Sequence, residues 1–356
     1  MILGIETSCD ECSAAVVQFE PHRAVHVRSV ATFSQIAIHQ PYGGVVPEIA
    51  SRNHLESIQP MIDQALKDAQ VRAEDLTAIA VTHRPGLVGA LLVGVSAAKA
   101  MAYALDKPLI PVHHLEGHAC SLFLADQPGP PPALTYPLLL AMVSGGHTNL
   151  YRIEGPPEQW PADFLNQSLV GRSRDDAAGE AFDKIAKILG FPYPGGLWID
   201  REAKKGNPHA FALPRALAQK NTLDFSFSGL KTAVSLLAAQ LKKEGRLEES
   251  LADVCASAQE AIVDALLGKI RLAAQRMECQ SMAFVGGVAA NSRLRARLDQ
   301  QWQSLGFRQP VFFPPMKYCT DNAAMIAAAG AFHWSQGRFL KSPDYLTLNA
   351  AAHFGA

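Results

Sequence analysis

The sequence predicts an α/β protein made of two similar units, each running β-β-β-α-β-α, that face one another across a cleft. Three observations carry this expectation. The chain has 356 residues, too many for one core and suited to two domains of about 150 residues each. Three short β-rich runs precede the first helical pattern, and the same order returns after residue 138. Each copy opens on a hairpin with a tight polar turn, Thr7–Glu11 in the first and Ser144–His147 in the second.

The elements follow in order. Met1–Glu6, Ser13–Phe19 and Val25–Phe33 are rich in β-branched and other apolar residues and predict strands. From about Pro47 a helix is predicted by Ile49, Ile58, Met61, Ile62, Ala65, Leu66 and Ala69 at helical spacing. A strand over Ala78–Thr82, a Gly- and Ala-rich helix over about Leu87–Leu105 and a strand over Leu109–Val112 complete the first copy. The second opens with strands over Leu138–Val143 and Asn149–Ile153, with Phe164–Leu169 expected as a third. Helices are expected over about Asp176–Leu189, Ser228–Glu244 and Leu247–Glu278. Ser281–Val285 is a strand leading through Gly286-Gly287 into a helix over about Ala289–Leu305, and Val311–Phe313 and Asp321–Gln336 are the last strand and helix. The Pro-rich stretch Gln127–Pro132 marks a surface loop or linker. The domains are expected at 1–113 with a returning 318–356, and at 114–317.

Composition excludes several classes. Apolar residues make up 48% of the chain and charged residues only 18%, which rules out a disordered or fibrous protein. The 32 basic residues balance 33 acidic ones, so contact with nucleic acid must rest on a local patch. The longest greasy runs, Leu138–Val143 and Gly86–Val95, fall short of the roughly 20 residues that cross a bilayer. No basic n-region opens the chain, so no signal peptide and no membrane partner are expected. Six scattered cysteines lack the density of a disulfide scaffold, and a cytoplasmic chain with reduced thiols is expected.

Several segments hold residues suited to chemistry. In His113-His114-Leu-Glu-Gly-His118, His114 and His118 lie four apart, so on a helix both imidazoles share one face and suit one metal ion. The plain alternative is a pair of capping or surface histidines. Glu116 is displaced from the position a zinc-peptidase base occupies. Asp321, in Cys319-Thr-Asp-Asn322, opens the last helix and is a candidate third ligand. Val143-Ser-Gly-Gly-His-Thr148 offers backbone N–H groups and hydroxyls to an anion, or is a simple hairpin turn. Val285-Gly-Gly-Val-Ala-Ala-Asn291 joins a strand to a helix N-terminus that favours negative charge. Neither matches a dinucleotide fingerprint, and paired diglycine loops on a duplicated domain fit the actin-like, sugar-kinase-like (ribonuclease H-like) class better. Asp183, two turns into the acidic Asp175–Lys184 segment, is either a ribose-hydroxyl acceptor or a solvated helix charge. Asp10 and Glu11 in the first turn resemble the acids that actin-fold ATPases place beside phosphates. Arg293, Arg295 and Arg297 alternate along one helix, as solvated charges or an RNA-contacting row.

Taken together, these segments resemble the TsaD family, the tRNA N6-adenosine threonylcarbamoyltransferases. The match runs in the family's order to about residue 330. It comprises Gly4–Glu11, Tyr42–Arg52, Pro85–Leu91, His114–His118, Val143–Thr148, Asp175–Lys184, Phe225–Lys231, Gly286–Asn291 and Tyr318–Asn322. The resemblance implies that His114, His118 and Asp321 hold one divalent metal, iron or zinc, bridging the two domains. It implies a threonylcarbamoyl-adenylate site made of Met142, Val143, Ser144, Gly145, Gly146, His147, Asp183, Gly196, Asp200 and Asn291, with Asp10 or Glu11 assisting as base. The implied reaction is transfer of threonylcarbamoyl to N6 of adenosine 37, in the anticodon loop of tRNAs reading ANN codons. A TsaB-like paralogue as heterodimer and a TsaE-like ATPase are the implied partners. An actin-like sugar kinase and a metal-dependent peptidase are the competing readings. The chain departs from the family at His83-Arg84 and at Leu197-Trp198, the latter beside Gly196.

Overall fold

A computed structural model describes residues 1–217, 221–301, 304 and 308–351. The three expected strands fold over Met1 to Ser34 as β1 (Ile2–Glu6), β2 (Glu11–Gln18) and β3 (Val25–Ser34), the hairpin extended by β3 into an antiparallel meander. β1 is buried at every residue. Helices Pro47–Ala69 and Val88–Leu105 pack with the sheet, as does helix Ala323–Ser335, so no alternation with polar residues is needed. β4 (Ala78–Arg84) and β5 (Leu109–His113) extend the sheet in parallel, and the short β6 (Leu124–Ala125) closes the far edge, in the order β5-β4-β1-β2-β3-β6. Gly4 is the point of closest approach: a Cβ there would meet the Ala323 carbonyl oxygen at 2.3 Å and the Ala327 nitrogen at 2.7 Å.

The second sheet repeats this plan. β7 (Leu138–Val143), β8 (Thr148–Ile153), β9 (Leu169–Arg172), β10 (Ser281–Val285) and β11 (Val311–Phe312) lie in the order β11-β10-β7-β8-β9. Matched in chain order, this is the first sheet without β6, so the duplication expected from the sequence is present in the topology. Helices Ala178–Ile188, Ser228–Lys243 and Leu247–Met277 supply the core around Phe182, Ile185, Leu230, Val234, Ile262 and Leu266.

Three expectations need correction. Phe164–Ser168 is a short helix and the third strand begins at Leu169; Phe164 and Leu165 are both buried, a pairing of neighbours that a helix meets more readily than a strand with one face inward. The helix expected from Ala289 starts at Ser292, after a 3-10 turn over Gly287–Ala290, and its expected end at Leu305 lies outside the described residues. The units are Met1–Ala133, Pro156–Ala162 and Pro314–Ala356 on one side, and Leu134–Gly155 and Asp163–Phe313 on the other. The boundary therefore falls just after the Pro-rich stretch and not at residue 114, because helix His114–Cys120 packs against Ala323–Ser335 within the first unit. Val88–Leu105 is long and apolar enough to cross a membrane by length and composition, more than the greasy-run count suggested. Its buried stripe of Ala90, Leu91, Gly94, Val95, Ala98 and Ala102 belongs to the core of its unit.

Two outcomes follow from this packing. Gly4→Ala forces backbone apart and is expected to cost about 3 kcal/mol, at the upper end of overpacking penalties, measured by urea unfolding. Burial, aided by the neighbouring Arg84 charge, pushes the His83 pKa down to about 4. The unfolded chain therefore takes up this proton first, and the stability present above pH 6.5 is lost as pH falls toward 4. His83→Gln is expected to flatten the decline of unfolding free energy across that window.

Candidate functional site

Helix His114–Cys120 leaves β5 directly, and all seven of its residues are buried. The Leu115 amide donates to His113 Nδ1 at 3.2 Å, which caps the helix start. One turn apart, the His114 and His118 rings meet edge to face with centroids 4.8 Å apart. Asp321 arrives from far along the chain, one residue before Asn322, whose side chain accepts from the Met325 amide at 3.0 Å and caps helix Ala323–Ser335. The two helices approach closely because residue 117 is glycine: a Cβ there would lie 2.7 Å from Ile326 Cδ1.

Asp321 Oδ1 lies 3.1 Å from His118 Nε2 and 3.6 Å from His114 Nε2. The three donor atoms all fall within 4.8 Å of one another. Ligands at about 2.0–2.1 Å from a tetrahedral zinc-like ion stand about 3.4 Å apart, so these spacings suit a first-row divalent cation held by two imidazoles and a carboxylate. All three residues belong to the first unit. The ligand set therefore does not span the two units, as the expected bridge required.

The surroundings are acidic. Glu6 is 1% exposed. Burial pushes its pKa up, but the charge and hydrogen bond of His114 outweigh this and hold it below the usual carboxylate range. Burial pushes His114 down, and the Asp321 and Glu6 carboxylates reverse this to about 9. Asp10 is buried, while Glu11 opens β2 and accepts from the Ser34 hydroxyl at 3.3 Å. Burial, then the Asp10 and Asp321 charges, raise the Glu11 carboxyl to about 9, so it carries its proton at neutral pH and a cation beside Asp321 would draw it down again. A cavity of about 540 Å³ opens beside Asp321, lined by Glu11, Arg28, Thr32, Ser34 and Lys317.

The remaining candidates gather in the second unit, around the C-terminal ends of the parallel strands β7 and β10, where α/β folds place ligands. Met142 and Val143 end β7, and the Ser144 amide donates to the His147 carbonyl at 2.8 Å across the turn. Helix Ala178–Ile188 begins on this turn, with the Gly179 amide donating to Ser144 at 3.2 Å and the Glu180 amide to Gly145 at 3.0 Å. Gly286, at φ +90°, passes so near Val143 that a Cβ would lie 2.5 Å from its carbonyl oxygen. Asp183 Oδ1 accepts from the Gly195 and Gly196 amides at 2.7 and 3.3 Å and caps helix Gly195–Ala203. Asp200 accepts from the Ser292 hydroxyl at 2.8 Å. Asn291 donates to Gln259 at 2.8 Å and accepts from the Leu294 amide at 3.0 Å.

Known proteins share both this layout and this sequence. A family model described as TsaD, tRNA N6-adenosine threonylcarbamoyltransferase, matches residues 26–328. A relative of that name from Anaeromyxobacter dehalogenans is 53% identical over 333 residues, covering 92% of each chain. Another from Moorella thermoacetica is 48% identical over 349 residues, 98% of this chain and 95% of its own. The chain belongs to the TsaD family. Component A of the (R)-2-hydroxyglutaryl-CoA dehydratase of Acidaminococcus fermentans superposes with a TM-score of 0.53 at 14% identity, over 94% of this chain and 98% of that one. HypF of T. kodakarensis gives 0.53 at 14% identity, over 99% of this chain and 49% of its own. These two likenesses show the fold alone, the duplicated actin-like one.

Other features of this TsaD chain follow from the geometry. Glu116 Oε1 lies 2.6 Å from His333 Nε2, with Arg338 at 3.6 Å. Two residues along a helix from His114, it points away from the imidazole face, so the glutamate a peptidase reading needs is committed elsewhere. Leu197 is exposed and Trp198 stacks on Phe191 at 6.3 Å, which leaves the Gly195 and Gly196 amides on Asp183 undisturbed. Arg293 and Arg297 pair with Glu260 and do not form a free basic row; Arg295 stacks over Phe313. Sequence reasoning overlooked Glu6 and Thr82. The signal for Glu6 was a lone acid at the end of an otherwise apolar strand run.

Removing Glu116 leaves His333 without its buried partner. Glu116→Ala is expected to cost about 2 kcal/mol or more, read as a lowered urea midpoint in the metal-free protein.

Proposed function

We propose that this chain transfers the threonylcarbamoyl group of threonylcarbamoyl-adenylate to N6 of adenosine 37 in tRNAs reading ANN codons. The observation that carries the metal-dependent form of this reading is the convergence of His114, His118 and Asp321, with donor atoms within 4.8 Å of one another. His114 Nε2, His118 Nε2 and an Asp321 oxygen would hold one divalent cation, iron or zinc. A bound cation of this kind polarises a carbonyl and orients the donor.

In the reaction N6 forms a C–N bond to the carbamoyl carbon, the C–O bond to the phosphate breaks, AMP leaves and N6 gives up a proton. The adenylate is assigned to the second unit: the turn from Met142 to His147, with Asp183, Gly196, Asp200 and Asn291. Support comes from Gly145 and Gly146, where a Cβ would meet no heavy atom within 4 Å. Packing does not require glycine there, and bare backbone N–H groups suit a phosphate. Holding the donor supplies positioning, commonly a large share of a rate enhancement. Asp10 and Glu11 are assigned the N6 proton; Glu11 lines the same cavity as Asp321 and would act once a cation has lowered its pKa. The target base is unpaired in an anticodon loop and is reached without melting a duplex. A TsaB-like paralogue, a TsaE-like ATPase and a cytoplasmic setting belong to the same reading, with no membrane involved.

Asp321→Ala is expected to abolish the threonylcarbamoyl nucleoside in a complemented depletion strain, measured by mass spectrometry of tRNA hydrolysates. The purified variant is expected to lose stoichiometric metal by elemental analysis. Full modification by this variant would overturn the metal-centred reading. Stripping the wild-type protein with a chelator is expected to stop turnover, and re-addition of Fe(II) or Zn(II) separately identifies the working ion.

A further inference from the structure

We propose that Glu6 is the positioning residue of the metal centre, holding His114 with its proton on Nδ1 so that Nε2 is presented to the cation. The inference rests on the metal-site reading above. Glu6 ends β1, and its carboxylate is surrounded by donors. Oε1 accepts from the Ser8 amide at 2.5 Å, and Oε2 accepts from the Thr82 hydroxyl at 2.6 Å. His114 Nδ1 lies 3.1 Å from the same Oε2 and 3.2 Å from the Ser8 hydroxyl oxygen. Hydrogen bonds accepted at both oxygens favour the ionised carboxylate, which can only accept from the ring. The neutral imidazole that a cation requires must therefore donate from Nδ1, which leaves its Nε2 lone pair on the side of Asp321, 3.6 Å away.

This is the carboxylate–histidine arrangement that fixes ring orientation and raises ligand basicity at metal centres. Its rigidity comes from the sheet. β1 lies between β2 and β4, Thr82 is on β4, and Ser8 belongs to the β1–β2 turn, so three connected segments hold one side-chain rotamer. The second imidazole is held differently: His118 Nδ1 makes no hydrogen bond among the described residues, and the ring is kept in place by burial. His114 is thus the anchored ligand, and the first polar turn serves to anchor it.

The test uses the full-length chain and Zn(II). Zinc affinity is measured by chelator competition, and the ring nitrogens by long-range proton–nitrogen NMR of the zinc-loaded, histidine-labelled protein. In the wild type His114 is expected to keep its Nδ1 proton and to ligate through Nε2. Glu6→Ala is expected to weaken zinc binding by about 10–100-fold, the usual effect of losing such a partner. Glu6→Gln keeps the shape but offers one acceptor oxygen to three donors, and is expected to fall between. Should Glu6→Ala fail to fold, Glu6→Gln and Thr82→Val, which removes one donor from Glu6, carry the test. Zinc affinity within twofold of wild type in the folded Glu6 variants, while His114→Ala loses it, would reduce Glu6 to a structural role and overturn the proposal. Unchanged affinity in His114→Ala and Asp321→Ala would instead overturn the metal site itself.

Discussion

Two neutral imidazoles and a carboxylate make a good cation site only if they are held within a few ångströms before the cation arrives, since ordering them at binding would consume affinity. The first unit of this protein is arranged around that requirement. His114 and His118 lie on a seven-residue helix with every residue buried, and Asp321 stands at the start of a helix buried at nearly every position. Gly117 lets the two helices close on each other, and Glu116 joins His333 at the far end of the contact. The central strands then carry Glu6 and Thr82 up to His114 from beneath.

Such a cluster is electrostatically expensive without a cation. Glu6 and Asp321 face His114, and the Asp10 and Asp321 charges raise the proton affinity of Glu11. Protons meet part of that cost: His114 and Glu11 both hold theirs to about pH 9. A divalent cation competes with those protons, so the same acids that would attract it also set the pH at which it can bind.

The two units show how one topology supports different chemistry. Both sheets run in the same order, and both place a polar hairpin turn after the first strand. In the first, Glu6 and Ser8 fasten an imidazole. In the second, Ser144 and the open Gly145-Gly146 pair meet a helix N-terminus and leave bare backbone. Close approach of chain to chain, at Gly286 against Val143 and at Gly179 against Ser144, shapes that turn.

Much of this was legible in the residues themselves. The β-rich runs and helical spacings place most elements, nine motifs in order identify the family, and the four-residue interval puts His114 and His118 on one face. These are local properties, written in the repeat of a strand or a helix. Phe164–Leu169 was misread because six residues are too few for periodicity to separate a short helix from a strand. The boundary near residue 133, the confinement of all three metal-binding candidates to one unit, the capping of a helix by Asp183 and the grip of Glu6 on His114 were decided only by tertiary structure. Each depends on which elements lie against one another across a hundred or more residues, or across a turn whose path is set by packing, and side-chain periodicity reports which face is buried without saying what buries it.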